Sequence, residues 1–420
     1  MGIAKKIGEN FLWRGIYLVS VFVINLLMAR ILGAGESGRF FLLINNLALL
    51  IMVAGFCLES SLVFYGASHK ISLNKLATIG LLWCIPVPII TIAFLWFGWQ
   101  QQLSTPDTLF IAGYVFSFML INIFTALFHA HQNFATASQV LTLVNIFFIV
   151  FFLQYVNYSP NSVSQEEHFT TSIQEKIKWG YYSTVFLQGI ILFVVSRNKL
   201  KFKKWILPTT AEMQLLLRYS AQSFFSNIVF FLISRSGYWF VEYYCTDSSL
   251  GNYIQVSRLG QVFILPAVII AASLFPQTAG DKINFQSRSF SILSRLLIGI
   301  YLSAILLSAF IGNTVISFLW GKEYSEMYST WLFYIPGVLF LAISYLFSPI
   351  FAGKGKVIYN IFIGSITLMV VLVCSFLTIP AWGIHGAAIS SSVGFMVMMI
   401  LYFIIAKRKF GFSFLNKQPS

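Results

Sequence analysis

Arg14, Glu59, Arg235, Glu242 and Arg258 are charged side chains set in stretches of Leu, Ile, Val and Phe. A charge in such a setting is costly and normally faces a cavity or a partner. The arginines carry the chemistry. A guanidinium stays charged when partly dehydrated, and its planar fork of donors fits phosphate oxygens. Several converging on one space would hold an acidic ligand and repel a cation. Amides extend the pattern. Asn10 and Asn25 fall on the helical face of Arg14, Gln255 shares a face with Arg258, and Arg235 shares one with Tyr238 and Glu242. Arg14, Asn25, Arg235, Gln255 and Arg258 are therefore candidate substrate-binding residues, with the arginines expected around a common space. Glu59 and Glu242 are candidates for coupling: a carboxylate paired with Arg14 would be freed to take up a proton once a ligand claims the arginine. A static Arg14–Glu59 bridge is the competing expectation. For Arg14, Arg218 and Glu242, near segment ends, snorkelling or structural pairing competes equally. No Gly-rich phosphate loop, HExxH helix or GxSxG turn is present, so no catalytic residue, metal or cofactor is expected. Cys57, Cys84, Cys245 and Cys374 lie in or beside apolar stretches and form no CxxC pattern.

The elements that position these residues follow from hydropathy. Hydrophobic residues make up 58% of the chain and charged ones 10%, with mean hydropathy +0.81. That is too little charge to cover a soluble surface. The apolar stretches are repeatedly about 20 residues long, enough for one crossing of a hydrocarbon core. The chain reads as an all-α polytopic membrane protein, without the alternation of a β-barrel. About twelve spans are expected, at 11–32, 38–65, 76–98, 107–131, 134–156, 177–196, 217–245, 249–275, 290–312, 327–351, 356–378 and 382–406. The first, with Arg14 inside it, reads as an uncleaved span. Segment 157–176, polar and acidic, reads as the longest outside loop. Pro86, Pro88, Pro266, Pro336 and Pro349 are expected to interrupt spans. Gly386, Ser390 and Gly394 form a small-residue stripe suited to close helix packing. His129 and His131 read as interfacial.

The net charge of +14 is concentrated at span ends. That distribution fits anionic lipid and membrane orientation, not nucleic acid. The densest cluster, Arg197–Lys204, falls near the middle of the chain and reads as a cytoplasmic bridge between an N-terminal lobe, 1–200, and a C-terminal lobe, 201–420. Both termini are then cytoplasmic. Arg30 and Arg39, at the first outside turn, oppose this rule and need a purpose there. The lobes form a weak repeat: Gly38-Arg39-Phe40 aligns with Gly251-Asn252-Tyr253, which places Asn45 opposite Arg258. Such repeats are common in secondary transporters.

Ala29-Arg30-Ile31-Leu32-Gly33 followed by Gly38-Arg39-Phe40 resembles the first outside turn of the Wzx-type polysaccharide repeat-unit flippases. These belong to the MOP superfamily with the MATE exporters and lipid II flippases. The basic middle loop and twelve spans extend the resemblance over the whole chain, although lipid II flippases usually have fourteen. The resemblance implies two six-helix lobes with pseudo-twofold symmetry, alternating access, and a cationic cavity that Arg14, Arg235 and Arg258 would supply. It implies an undecaprenyl-diphosphate-linked oligosaccharide as cargo, for O-antigen, capsule or a similar polysaccharide. The implied location is the bacterial inner membrane, among membrane lipids and alongside the polysaccharide polymerase and assembly machinery. A MATE-like drug or metabolite exporter is the alternative, and predicts an anionic cavity. An O-antigen polymerase or ligase is a second alternative, and usually carries a larger outside loop.

Overall fold

Inside a bilayer each backbone N–H and C=O must be satisfied within its own segment, which makes helix the economical state of an apolar chain. The computed structural model describes residues 3–98, 104–131, 133–155, 167–200, 202, 204–268, 270–271, 288–354 and 356–410, and no strand occurs among them. The helices are α1 (Ile3–Gly55), α2 (Leu58–Ala67), α3 (Leu73–Trp83), α4 (Pro86–Ala93), α5 (Thr105–Ala130), α6 (Phe134–Leu153), α7 (Glu167–Lys199), α8 (Thr210–Tyr244), α9 (Asp247–Phe263), α10 (Arg288–Trp320), α11 (Ser325–Gly353) and α12 (Val357–Phe410). Among the described residues nine helices are long and apolar enough to cross a membrane. Two of these, of 44 and 52 residues, are long enough for two crossings each. They bend at Gly33 (φ 76°) and Gly383 (φ 52°), in left-handed backbone that glycine adopts without steric cost.

Three expectations change. Residues 167–176 are the start of α7, not loop; their polarity reported solvent preference, which a helix end protruding from the apolar layer also satisfies. Residues 157–166 lie outside the described residues. Pro336 and Pro349 sit inside an uninterrupted α11, whereas Pro86 opens α4 and α9 ends at Phe263, just before Pro266. The second expected span breaks at Phe56 (φ 52°) and Cys57 (φ 49°), directly after Gly55, the residue that ends α1.

The chain divides into two compact units, Met1–Leu32 with Leu42–Ile228, and Gly33–Phe41 with Val229–Ser420. The first is built around α5, which packs on α2, α3, α4, α6 and α7. Its buried residues, among them Tyr114, Leu120, Phe124, Leu127 and Phe128, lie all round its surface, the mark of a central helix. Ser104 starts it, its Oγ accepting from Asp107 N–H at 3.2 Å. The second unit is built around α11, packed on α9, α10 and α12. The stripe Gly386, Ser390 and Gly394 packs within α12 against Thr378 and Val371, with Ser390 Oγ 2.9 Å from Thr378 Oγ1.

The turn segment 33–41 is built into the second unit. Ala34 N–H donates to Glu323 Oε2 at 3.0 Å, which caps the helix restarting after Gly33. Ser37 Oγ lies 2.7 Å from Tyr324 Oη. Arg39 pairs with Glu36 and, at 3.5 Å, with Asp247, which gives this arginine a local structural role. The two glycines aligned by the repeat meet here: a Cβ on Gly38 would come within 2.8 Å of the Gly251 nitrogen. A Cβ on Gly251 would overlap the Ala34 carbonyl. Gly251→Val is expected to cost about 3 kcal/mol by forcing the backbones apart. Gly299→Val, with nothing within 4 Å, is expected to be neutral. Thermal unfolding in detergent measures both.

Candidate functional site

The first unit has an open-mouthed cavity of about 300 Å³ that gathers polar groups from four helices. Arg14 and Tyr17 reach it from α1, Glu59 and Ser60 from α2, Asn122, Thr125 and His129 from α5, and Ser138 from α6. The spacing explains the assembly. Arg14 and Tyr17 are one turn apart, and Asn122, Thr125 and His129 follow each other along one face of α5. Arg14 is exposed toward this space and lies within electrostatic range of His129 and Tyr17. The Thr125 hydroxyl is buried there with no bonded partner. The cavity thus combines one guanidinium, one carboxylate and one imidazole with hydroxyls and an amide. It is equipped to hold a polar, charged group. No cluster of three His, Cys, Asp or Glu close enough to hold a metal occurs among the described residues.

Glu59 owes its position to the break in the second span. Phe56 and Cys57 occupy left-handed backbone, costing about 1 kcal/mol or more each, and α2 restarts with Glu59 in its first turn. Two contacts from α8 hold the break. Phe224 stacks on Phe56 at 5.3 Å, and Asn227 Nδ2 lies 3.5 Å from Cys57 Sγ. No salt bridge joins Glu59 to Arg14 among the described residues. The expected static bridge is therefore not formed in this conformation, although both groups line one cavity. Behind the wall runs a bonded thread. Gln188 donates to Asn145 at 2.6 Å, Asn145 to Ser20 at 2.7 Å, and Ser20 to the Tyr17 carbonyl at 2.7 Å. It ties α7, α6 and α1 together beside the cavity with its polar groups satisfied.

The other candidates fall elsewhere. Asn25 is half-buried three turns beyond Arg14, its Oδ1 without a bonded partner. In the second unit Arg235 donates to Tyr238 Oη at 2.8 Å and to Gln261 Oε1 at 3.3 Å. The Arg258 guanidinium carbon sits 3.6 Å from the centroid of the Phe41 ring. Arg235, on α8, therefore reaches α9 at Gln261, one turn beyond Arg258. Gln255 is 1% exposed and accepts from Trp320 Nε1 at 3.2 Å, a packing position in this conformation. Glu242 is exposed near the end of α8.

Asn122, Thr125 and Ser138 were missed from sequence, and His129 was read as interfacial. The available signal was the recurrence of polar residues at steps of three and four along one face of an apolar span.

No known protein-family profile matches the sequence. A stretch of 115 residues, 27% of this chain, is 33% identical to the capsular polysaccharide biosynthesis protein CapF of Staphylococcus aureus. The match spans 29% of that relative's length. Over nearly its whole length the chain resembles solved structures. The MATE transporter VcmN of Vibrio cholerae in its bent form matches with a TM-score of 0.65 at 14% identity, over 96% of both chains. Lipid II flippase MurJ, in an inward closed conformation, matches at 0.66 and 15% identity, over 95% of this chain and 86% of that one. A MOP-superfamily transporter from Pyrococcus furiosus, described as having a binding pocket of reverse polarity, matches at 0.64 and 14% identity, over 97% and 96%. The chain has a MATE-like fold.

Proposed function

We propose that this protein is a non-enzymatic flippase that carries an undecaprenyl-diphosphate-linked oligosaccharide from the cytoplasmic to the outer leaflet of the bacterial inner membrane by alternating access. The observation that carries this reading is the placement of guanidinium groups. Arg14 opens on the polar cavity of the first unit, and in the second Arg258 lies on α9 while Arg235 reaches that helix from α8. In this reading they receive the diphosphate as the cargo passes, because bidentate charge-assisted bonds suit its oxygens. Gln255 supports the site by holding Trp320, Asn25 extends the polar face of α1, and Glu242 is a secondary site of proton exchange. The fold supports transport, and the CapF match supports a polysaccharide cargo. A MATE-like exporter is the second reading, favoured by one observation, the carboxylate of Glu59 in the same cavity.

Proteoliposomes loaded with a fluorescent undecaprenyl-diphosphate oligosaccharide discriminate the two. The flippase reading expects protein-dependent movement of the label across the bilayer, read by an impermeant quencher, and no export of organic cations. Cation export without glycan movement would replace it by the exporter reading. Orientation is tested separately. With both termini and the Arg197–Lys204 loop cytoplasmic, a cysteine placed at Gln165 is expected to react with an impermeant maleimide on intact cells. Reaction only after permeabilisation would reverse the orientation.

A further inference from the structure

The joint between α1 and α2 carries more strain than the end of a helix requires. Residues 38–65 read as one uninterrupted span, and a continuous helix satisfies every backbone group in an apolar layer. The chain nevertheless stops at Gly55 and restarts at Leu58. The left-handed angles fall on Phe56 and Cys57, whose side chains meet a steric cost there, and not on Gly55. Nor is the new start capped: Cys57, at the N-cap position, makes no side-chain bond to the α2 backbone. The contacts that oppose this cost come from one helix. On α8, Phe224 stacks on Phe56 with ring centroids 5.3 Å apart, and Asn227 Nδ2 lies 3.5 Å from Cys57 Sγ. Five residues before Phe224, Tyr219 stacks on Phe64 at 4.5 Å and meets Tyr65 edge-on at 6.0 Å. Residues 219–227 thus hold the ten-residue α2 at both ends. The same α2 carries Glu59 and Ser60 to the cavity wall. Helix α8 is shared, its residues up to Ile228 belonging to the first compact unit and those from Val229 to the second. A change in the second unit can therefore reach the joint along a single helix.

We propose that Phe56–Cys57 is a two-state joint, left-handed while α8 is docked on it and helical when α8 withdraws, and that Phe224 and Asn227 are positioning residues for Glu59. An aromatic stack with one weak bond is of the same order as the backbone strain it opposes. Neither state is then far from the other, and losing the contact shifts the balance. Closing the joint merges the end of α1 with α2 into one span, and turns Glu59 relative to the α5 and α6 walls of the cavity. Gly55, tolerant of either backbone, suits the hinge point. Strained residues held by an outside contact, next to a charged group in a cavity, are the arrangement expected of a switch. The joint decides where Glu59 stands and not what the protein carries, so the proposal stands apart from the flippase reading.

Accessibility of residue 59 tests it without any cargo. In the full-length protein in detergent, Glu59→Cys is labelled with a charged methanethiosulfonate, and modification is read at that residue by peptide mass spectrometry. Adding Phe224→Ala and Asn227→Ala is expected to change the labelling rate about tenfold. Asn227→Ala alone, at an exposed position that folding tolerates, is expected to move it in the same direction about threefold. Cys57→Gly supplies the decisive comparison. Glycine removes the steric cost of the left-handed state and disfavours the helical one. Placed in either α8 variant, it is expected to return the rate to that of Glu59→Cys alone. An unchanged rate in both α8 variants would overturn the proposal. So would a changed rate that Cys57→Gly fails to restore, since that marks loss of cover over residue 59 and not loss of the left-handed joint.

Discussion

Arg14→Ala is expected to reduce glycan export by about two orders of magnitude while leaving the protein folded and abundant. Removing a charge-assisted bidentate contact to a phosphate costs about 2–3 kcal/mol in a desolvated site, which is a factor of about 30 to 150. Arg14 is suited to a clean measurement because its side chain is exposed toward the cavity and makes no salt bridge among the described residues. Its loss therefore orphans no buried partner. Arg14→Lys is expected to recover part of the activity, since an ammonium restores the charge without the planar fork. Arg258→Ala makes a useful contrast. Its guanidinium lies over the buried Phe41 ring, so the change also costs about 1 kcal/mol or more of stability, and export must be normalised to folded protein. Export per folded molecule, measured in proteoliposomes, checks all three. Full activity of the Arg14→Ala protein would remove this residue from the cargo path.

How far the sequence foretold this site depends on the kind of residue. Arg14 and Glu59 were legible because a full charge in an apolar run has few explanations. Asn122, Thr125 and Ser138 were not, because a neutral polar residue barely moves a hydropathy average and occurs in many spans as interhelical glue. Glycine foretold the bend at Gly33 through its motif, yet the carboxylate that caps the bend belongs to Glu323, 289 residues away from Ala34, a distance no local pattern bridges. The break at Phe56 and Cys57 left only a weak mark, the preceding Gly55, because glycine is common inside apolar spans; Phe224 and Asn227, which pack against the break, lie far along the chain. The fold class survived these omissions because it rests on the length and number of apolar runs, a property summed over hundreds of residues. The site rests on a handful of contacts.

Glu59→Gln separates proton coupling from a structural role for this carboxylate. Were Glu59 a static bridge to Arg14, the substitution would break an ion pair and lower stability, with export per folded molecule unchanged. The geometry argues against that outcome. The two groups share a cavity without a salt bridge among the described residues, and glutamine preserves shape and hydrogen-bonding capacity. Stability is therefore expected to change by less than about 0.5 kcal/mol. The coupling expectation differs in kind. Arg14 is the cation nearest to hand in this cavity for either a cargo phosphate or the Glu59 carboxylate. In a conformation that brings Arg14 to Glu59 the carboxylate keeps its charge, and when cargo claims the arginine a proton can replace it. A glutamine cannot make that exchange. The variant should still bind the lipid-linked glycan and move it at a basal rate, but an imposed pH gradient should no longer accelerate movement, where the unaltered protein responds several-fold. Flux in proteoliposomes with and without the gradient reads this directly, and a gradient response equal to that of the unaltered protein would sink the coupling role of Glu59 while leaving Arg14 as a cargo ligand untouched.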